Sequence, residues 1–435
     1  MPPDWLLAVL DVAAIAVVAY LGGLLMQSLC QPRIAGEMTA VFAAGRLLGG
    51  QIADVVPGQP AGGRIADLFP DTAVAVVTVV GGLGLILYML LVGITIDPER
   101  MRERAGAIAL LTVSTIGSMV LLALVGGPLL VAAGGWKPAG VSDGAFIIAL
   151  AAALAANGVP IVARILEDRA MARSALGAIV IAAGTCITGL ALIGAAVAID
   201  GGDVPAGGRV ALRAGVGLLV LALVLAVVRS RRFALAPAVA VAGAVALAVL
   251  SGLAGDALLS SLLIGPLAIG VAVRRGGATA LAVERCLGTV VRRVMLPVFL
   301  GLAVLHTDLR ELGADVLAPV LALLGSVIAI KLAVAYAAAR AAGFAAADAR
   351  VIGALLQCSG IMTIAISLDV LDARVIDARL HATLTLVGLV STIAVGPLLP
   401  RSWIGATNGV MPGKHRDRVL RQPRRRRRVR GRFLP

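Results

Sequence analysis

The chain has 435 residues, of which 60% are hydrophobic and only 14% charged, with a formal net charge of +14. A mean hydropathy of +1.01 and a charged share well below the roughly 25% of water-soluble domains exclude an ordinary soluble enzyme or binding module. The apolar residues fall in blocks long enough to cross hydrocarbon as helices, which predicts an all-α polytopic membrane protein.

Thirteen candidate spans follow in order, near residues 5–26, 34–50, 73–96, 105–133, 141–160, 174–199, 209–228, 233–250, 256–273, 290–306, 314–339, 350–370 and 376–400. The opening MPPDWLL lacks the basic region of a signal peptide, so the first run reads as a retained span. Two spans are interrupted. Asn157-Gly158-Val159-Pro160 breaks the fifth, because proline lacks an N–H and glycine is a poor helix former. Ser359-Gly360 breaks the twelfth. Broken backbone inside a bilayer is tolerated only where it is buried in protein or lines a cavity, and interrupted spans in matching places of two halves point to a transporter site.

Loop charge sets the orientation. With the N-terminus outside, the inside loops and the segment after Pro400 hold twenty-nine Lys and Arg residues against seven outside, as the positive-inside rule requires. Trp5, Trp136 and Trp403 fall at span ends, where indole rings prefer to lie. Residues 401–435 carry twelve basic residues and one acidic, Asp417. This composition predicts a disordered basic tail on the cytoplasmic side, drawn to anionic lipid. No aromatic residues interleave the Arg424–Arg428 run, so nucleic acid is not the expected partner.

Cys30, Cys186, Cys286 and Cys358 show no CxxC spacing and read as small buried hydrophobes. A soft-metal role for Cys186 with Cys358 is the sharper alternative. His306 and His381 have no metal-like spacing, and there is no P-loop, dinucleotide fingerprint or catalytic triad pattern. Neither a metal, a cofactor nor an enzyme is expected.

Several motifs carry a family resemblance. Gln31-Pro32-Arg33-Ile34-Ala35-Gly36-Glu37 is similar to QPxVxGE, and the run from Leu83 to Asp97 to LGLxLFMFLVGLELD. Pro160-Ile161-Val162-Ala163-Arg164-Ile165-Leu166 is similar to PVLARIL, with Gly177 at the matching distance. The stretch from Leu296-Pro297 to Thr307-Asp308-Leu309 resembles LPxFF…GLRTDL. Gly360, Leu368-Asp369, Ser391-Thr392 and Gly396-Pro397 match the last two spans. In this order the motifs resemble bacterial cation:proton antiporters, the Kef-like monovalent cation:proton antiporter-2 branch of the sodium/hydrogen exchanger superfamily.

The resemblance implies thirteen helices in two inverted repeats, with spans 5 and 12 broken and crossing. It implies a membrane domain over 1–400, with core spans near 105–199 and 314–400 and a dimerisation panel near 5–96 and 233–306. It further implies a homodimer in the plasma membrane that exchanges H+ for a small solute, by default Na+ or K+. Two features depart from the pattern. The carboxylate expected in span 6, eleven residues past Gly177, is replaced by Thr188 after Ile187, and the arginine often found before the span-12 glycine is Ser359. The span-11 lysine remains as Lys331.

A carboxylate couples two ions by taking either a proton or a cation; a threonine has no such titration. Intramembrane ionisable residues are functional candidates by default. An amine buried without a counter-charge is disfavoured in its charged form, which makes Lys331 a candidate proton carrier. Asn157 reads either as a half-helix cap or as a solute contact, and Glu37 either as a panel-lining group or as a fold residue at a span end. Asp11, within span 1, reads as a helix-pairing residue. Thr185, Thr188, Ser359 and Thr363 offer hydroxyl ligands, although small hydroxyl residues in membrane helices also serve packing. Gly158, Pro160 and Gly360 mark the breaks. Two further readings stay open: an exporter or resistance protein for an organic or ion-complexing compound, and a non-transporting homologue that lost its ion site.

The charge asymmetry predicts that a single cysteine at position 427, in a cysteine-free background, is labelled only from the cytoplasm. External labelling of Arg427→Cys in intact cells would reverse the orientation.

Overall fold

The computed structural model describes residues 4–29, 31–53, 71–95, 102–169, 171, 174–201, 241–251, 264–273, 278–299 and 317–399. Every regular element among them is helical. The helices are α1 (Asp4–Ser28), α2 (Arg33–Ala53), α3 (Asp71–Thr95), α4 (Ala105–Ala133), α5 (Asp143–Ala155), α6 (Val159–Asp168) and α7 (Ala175–Ile199). They continue with α8 (Val241–Ser251), α9 (Ile264–Val273), α10 (Ala278–Val290), α11 (Leu317–Ala341), α12 (Ala346–Leu356), α13 (Gly360–Asp372) and α14 (Ala378–Leu398). A π-turn, Val291–Met295, carries α10 onward. The predicted span over 209–228, the first part of that over 233–250, the Thr307-Asp308-Leu309 motif and the basic tail lie outside the described residues.

Among the described residues, six helical stretches are long and apolar enough to cross a membrane: Ala105–Ala133, Asp143–Asp168, Ala175–Ile199, Leu317–Ala341, Ala346–Asp372 and Ala378–Leu398. Shorter apolar helices accompany them. The two interrupted stretches are the most enclosed. The most apolar window of each is 89% buried, against 33% for Ala105–Ala133 and 22% for Leu317–Ala341. Irregular backbone is thus sunk into protein, while α4 turns Val113, Leu121, Val125 and Leu129 outward.

Local chemistry sets the helix starts. Ser142, Ser174 and Asp377 each accept a hydrogen bond from the backbone N–H three residues on, satisfying one of the donors a helix leaves open. Two expectations need correction. The fifth span does not end at Pro160, because Pro160 lies in the first turn of α6, where a missing N–H costs nothing. Arg164, assigned to a loop, is therefore helical and only 6% exposed. Likewise Arg285, Arg292 and Arg293 lie in a helical run that begins at Ala278, not near residue 290. In both places charged side chains on one face lowered hydropathy without ending the helix.

Glycines let helices close on one another. α3 packs on α9 where Gly93 meets Gly270: a methyl on Gly93 would lie 2.9 Å from Gly270 Cα and run into the Leu267 carbonyl oxygen. Small residues at such crossings let backbones approach in a membrane. Gly270→Val is expected to lower stability by about 1–3 kcal/mol through overpacking. Gly117→Ala, in α4 with open space around it, should leave the melting temperature unchanged or slightly raised, because alanine is the better helix former. Thermal melts of the solubilised protein check both.

Candidate functional site

The two breaks touch. Between α5 and α6 the chain leaves the helix at Ala156 to Gly158, and between α12 and α13 at Gln357 to Ser359. Gly158 N–H donates to the Cys358 carbonyl at 2.8 Å. Gly158 keeps this approach close: a methyl there would lie 3.1 Å from the Ser359 carbonyl oxygen, which would have to give by a few tenths of an ångström. Gly360 has φ +55, a left-handed conformation that glycine adopts without strain. A side chain on Gly360 would also strike Ile161 of the other broken span.

A broken helix leaves orphan carbonyls at its C-terminal end. At the end of α5 they meet Lys331, which reaches in from α11 and is fully buried. Its ammonium donates to Leu154 O at 3.0 Å, Ala156 O at 2.8 Å and Ser359 Oγ at 2.9 Å. All three donors of the amine are thereby used. At the end of α12, Asn157 Nδ2 donates to Leu356 O at 2.8 Å. Each break thus supplies or receives the cap of the other. Positive charge at a helix C-terminus is favourable, which is where Lys331 sits.

Thr188, from α7, holds the first break. It accepts from Asn157 N–H at 3.2 Å and donates to Asn157 O at 2.9 Å. The second break has the same device: Ser391 Oγ of α14 accepts from Ser359 N–H at 3.2 Å. Thr363 donates to Ala153 O at 3.0 Å, tying α13 to α5. Two acceptors stay open. Asn157 Oδ1 and Gln357 Oε1 are buried with no hydrogen-bond partner, and an unmade buried bond costs about 1–3 kcal/mol. The Asn157 oxygen packs on Gly184, where a methyl would lie 2.7 Å from it. Beside Thr188 is a small recess, lined by Met89, Val159, Thr185, Gly189, Leu192 and Leu267 as well.

The structure thus gathers Asn157, Thr188, Lys331 and Ser359 around one crossing. Thr185 borders the recess but bonds Ile181 O of its own helix at 2.8 Å. Cys186 is exposed, while Cys358 is buried 3.7 Å from Thr392 Oγ1. Among the described residues no group of three or more His, Cys, Asp or Glu side chains could hold a metal ion. His381 pairs through Nδ1 with Ser367 Oγ at 2.9 Å.

Glu37 lies elsewhere, in a cluster of charges. Arg33 binds it at 3.0 Å, and Arg164 approaches to 3.9 Å while lying 3.5 Å from Asp168. Arg292 holds Glu167 through two bonds of 3.0 and 3.2 Å. Sequence reasoning missed Gln357 and this network. Gln357 carried a signal: like Asn157, it is an amide at the start of an interruption.

Family comparison decides the ancestry. The family model described as "Sodium/hydrogen exchanger, transmembrane" matches residues 13–402. The chain belongs to the sodium/hydrogen exchanger family. The solved sodium proton antiporter MjNhaP1 from Methanocaldococcus jannaschii, at pH 8, is similar to this exchanger chain with a TM-score of 0.59. The match has 13% identity and covers 93% of this chain and 98% of that one, a likeness of fold. No curated protein sequence matches.

Lys331→Met should destabilise this exchanger-family fold, because Leu154 and Ala156 carbonyls lose their donor at about 1–3 kcal/mol each. Ser359→Ala, which leaves the ammonium two of its three acceptors, should cost about 1 kcal/mol. Unchanged melting of Lys331→Met would show that the amine does not cap α5.

Proposed function

We propose that this chain is a proton-coupled antiporter exchanging H+ for a monovalent cation, Na+ or K+, across the plasma membrane. The observation that carries the reading is the contact of two broken, fully enclosed half-helix pairs, in a chain of the exchanger family. Around them stand open amide oxygens at Asn157 and Gln357, the Thr188 hydroxyl and one buried ammonium. Neutral oxygens suit a weakly held monovalent cation. The ammonium of Lys331 stands beside them, and losing its proton would release one of its three acceptors to another ligand.

In this reading α4–α7 and α11–α14 form the moving core, and α1–α3 with α8–α10 the panel that pairs two subunits. The N-terminus faces outward, and the basic tail lies in the cytoplasm against anionic lipid. Thr188 occupies the position of the carboxylate in the Kef-like pattern, so coupling rests on Lys331. The exporter reading, in which Lys331 attracts an anionic solute, is less favoured. All three donors of that ammonium already have acceptors.

The test is proton flux in everted vesicles, scanned with Na+, K+ and Li+. Wild type should show cation-dependent flux that Lys331→Gln abolishes. Thr188→Asp adds a carboxylate that exchanges a proton for a cation, and should raise cation-dependent flux severalfold, on the order of the about fivefold that 1 kcal/mol supplies. Thr188→Asn, which cannot ionise, should not. Flux unchanged by all three substitutions would place the site on other residues. No flux with any cation would favour the non-transporting reading.

A further inference from the structure

The charged cluster at the far end of α6 has no part in that scheme, yet its geometry is the most specific outside the crossing. Arg164 Nη1 donates to the main-chain oxygen of Arg292 at 3.0 Å. Arg292 answers with two bonds to Glu167, three residues beyond Arg164 on the same half-helix. The exchange is reciprocal: each arginine binds the other's element.

The Arg292 carbonyl is available for a local reason. In an α-helix it would accept from the N–H four residues on. The π-turn shifts that donor, so Leu296 N–H bonds Val291 O instead. The next residue, Pro297, has no N–H to offer. The carbonyl is thus left for a donor outside its own helix, and Arg164 supplies it. Single π-turns inside α-helices often mark functional places. This one is seated on α3, where Gly84 faces Met295 at a built-methyl distance of 2.5 Å.

The same half-helix also binds α2, through Arg164 and Glu37. Arg164 and Glu37 are nearly fully buried, and Glu167 is 15% exposed at its side chain. Such pairs are not screened as surface pairs are. Two further acceptors, Glu37 Oε2 and the hydroxyl of the buried Tyr88, have no hydrogen-bond partner.

We propose that Arg164, Glu167 and Arg292, with Glu37, form an ionic lock. It seals the end of the passage between α6 and the α2, α3 and α10 helices, and must open in every transport cycle. The proposal rests on the antiporter reading, in which α6 moves against those helices. Arg164 and Arg292 are positioning residues here: they touch no solute, and hold one end closed while the recess beside Thr188 is open.

The test uses the full chain in everted vesicles, with Cys30, Cys186, Cys286 and Cys358 replaced. Glu167→Cys with Arg292→Cys, bridged by a thiol-cleavable cross-linker, should lose flux about tenfold or more, and cleavage should restore it. Glu167→Arg with Arg292→Glu keeps an ion pair and should retain more flux than Arg292→Gln alone. A readout independent of transport uses Thr185→Cys, which borders the recess. Arg292→Gln should raise its labelling by an impermeant maleimide from the Arg33 side about threefold or more, whereas Asp143→Asn, which breaks the exposed Lys137–Asp143 pair, should not. Full flux in the bridged protein, or labelling unmoved by Arg292→Gln, overturns the lock. If no cation drives flux in wild type, the antiporter reading fails, and the labelling still decides whether these charges close the passage.

Discussion

Two half-helices can end in the middle of an apolar bundle only because each end finds a partner. The Gly158 N–H and Cys358 carbonyl bond where the breaks meet, Lys331 takes the carbonyls of α5, and Asn157 takes that of α12. An unpaired main-chain group in hydrocarbon costs several kcal/mol, so these caps permit the rest. They favour glycine at 360, where φ is positive, and place Thr188 and Ser391 against the breaks. They also fit the interrupted spans being the most enclosed of the six described ones.

The device is nearly symmetric, and its asymmetry is informative. Both breaks present an N–H to a hydroxyl of the span that follows, and both keep an amide oxygen open. Only the α5 end receives an ammonium. The centre is therefore biased between its two halves: one helix end is answered by the Lys331 amine, the other by the Asn157 amide.

How much was legible depended on whether the signal lay in a side chain or in the backbone. Pro160, Gly158 and Gly360 announced the breaks because their backbone chemistry is written in the residue type. Lys331 announced itself as the charge inside an apolar run. Its partners did not, since every residue has a carbonyl and only folding shows which ones are orphaned. The half-helix α6 was hidden for another reason. Arg164, Glu167 and Asp168 depress hydropathy over a ten-residue helix, and the eye reads a loop. The same masking hid the helical run through Arg292, whose freed carbonyl depends on a π-turn that no residue pattern specifies. The predicted span over 209–228, the first part of that over 233–250, the Thr307-Asp308-Leu309 motif and the basic tail lie outside the described structure.

The ammonium of Lys331 has a further consequence once voltage is considered. It is fully buried where the two broken spans cross, and Thr188 beside the same break is neutral. While protonated, Lys331 gives the element that bears it a positive charge that Thr188 does nothing to neutralise. A membrane potential acts on an elementary charge with about 2.3 kcal/mol per 100 mV for a full traverse, and on a partial displacement in proportion. A potential negative inside pulls such an element toward the cytoplasm. In the antiporter reading, a protonated Lys331 with no carboxylate at position 188 would make the resting position of the empty protein depend on the cell's electrical state, before any solute has bound.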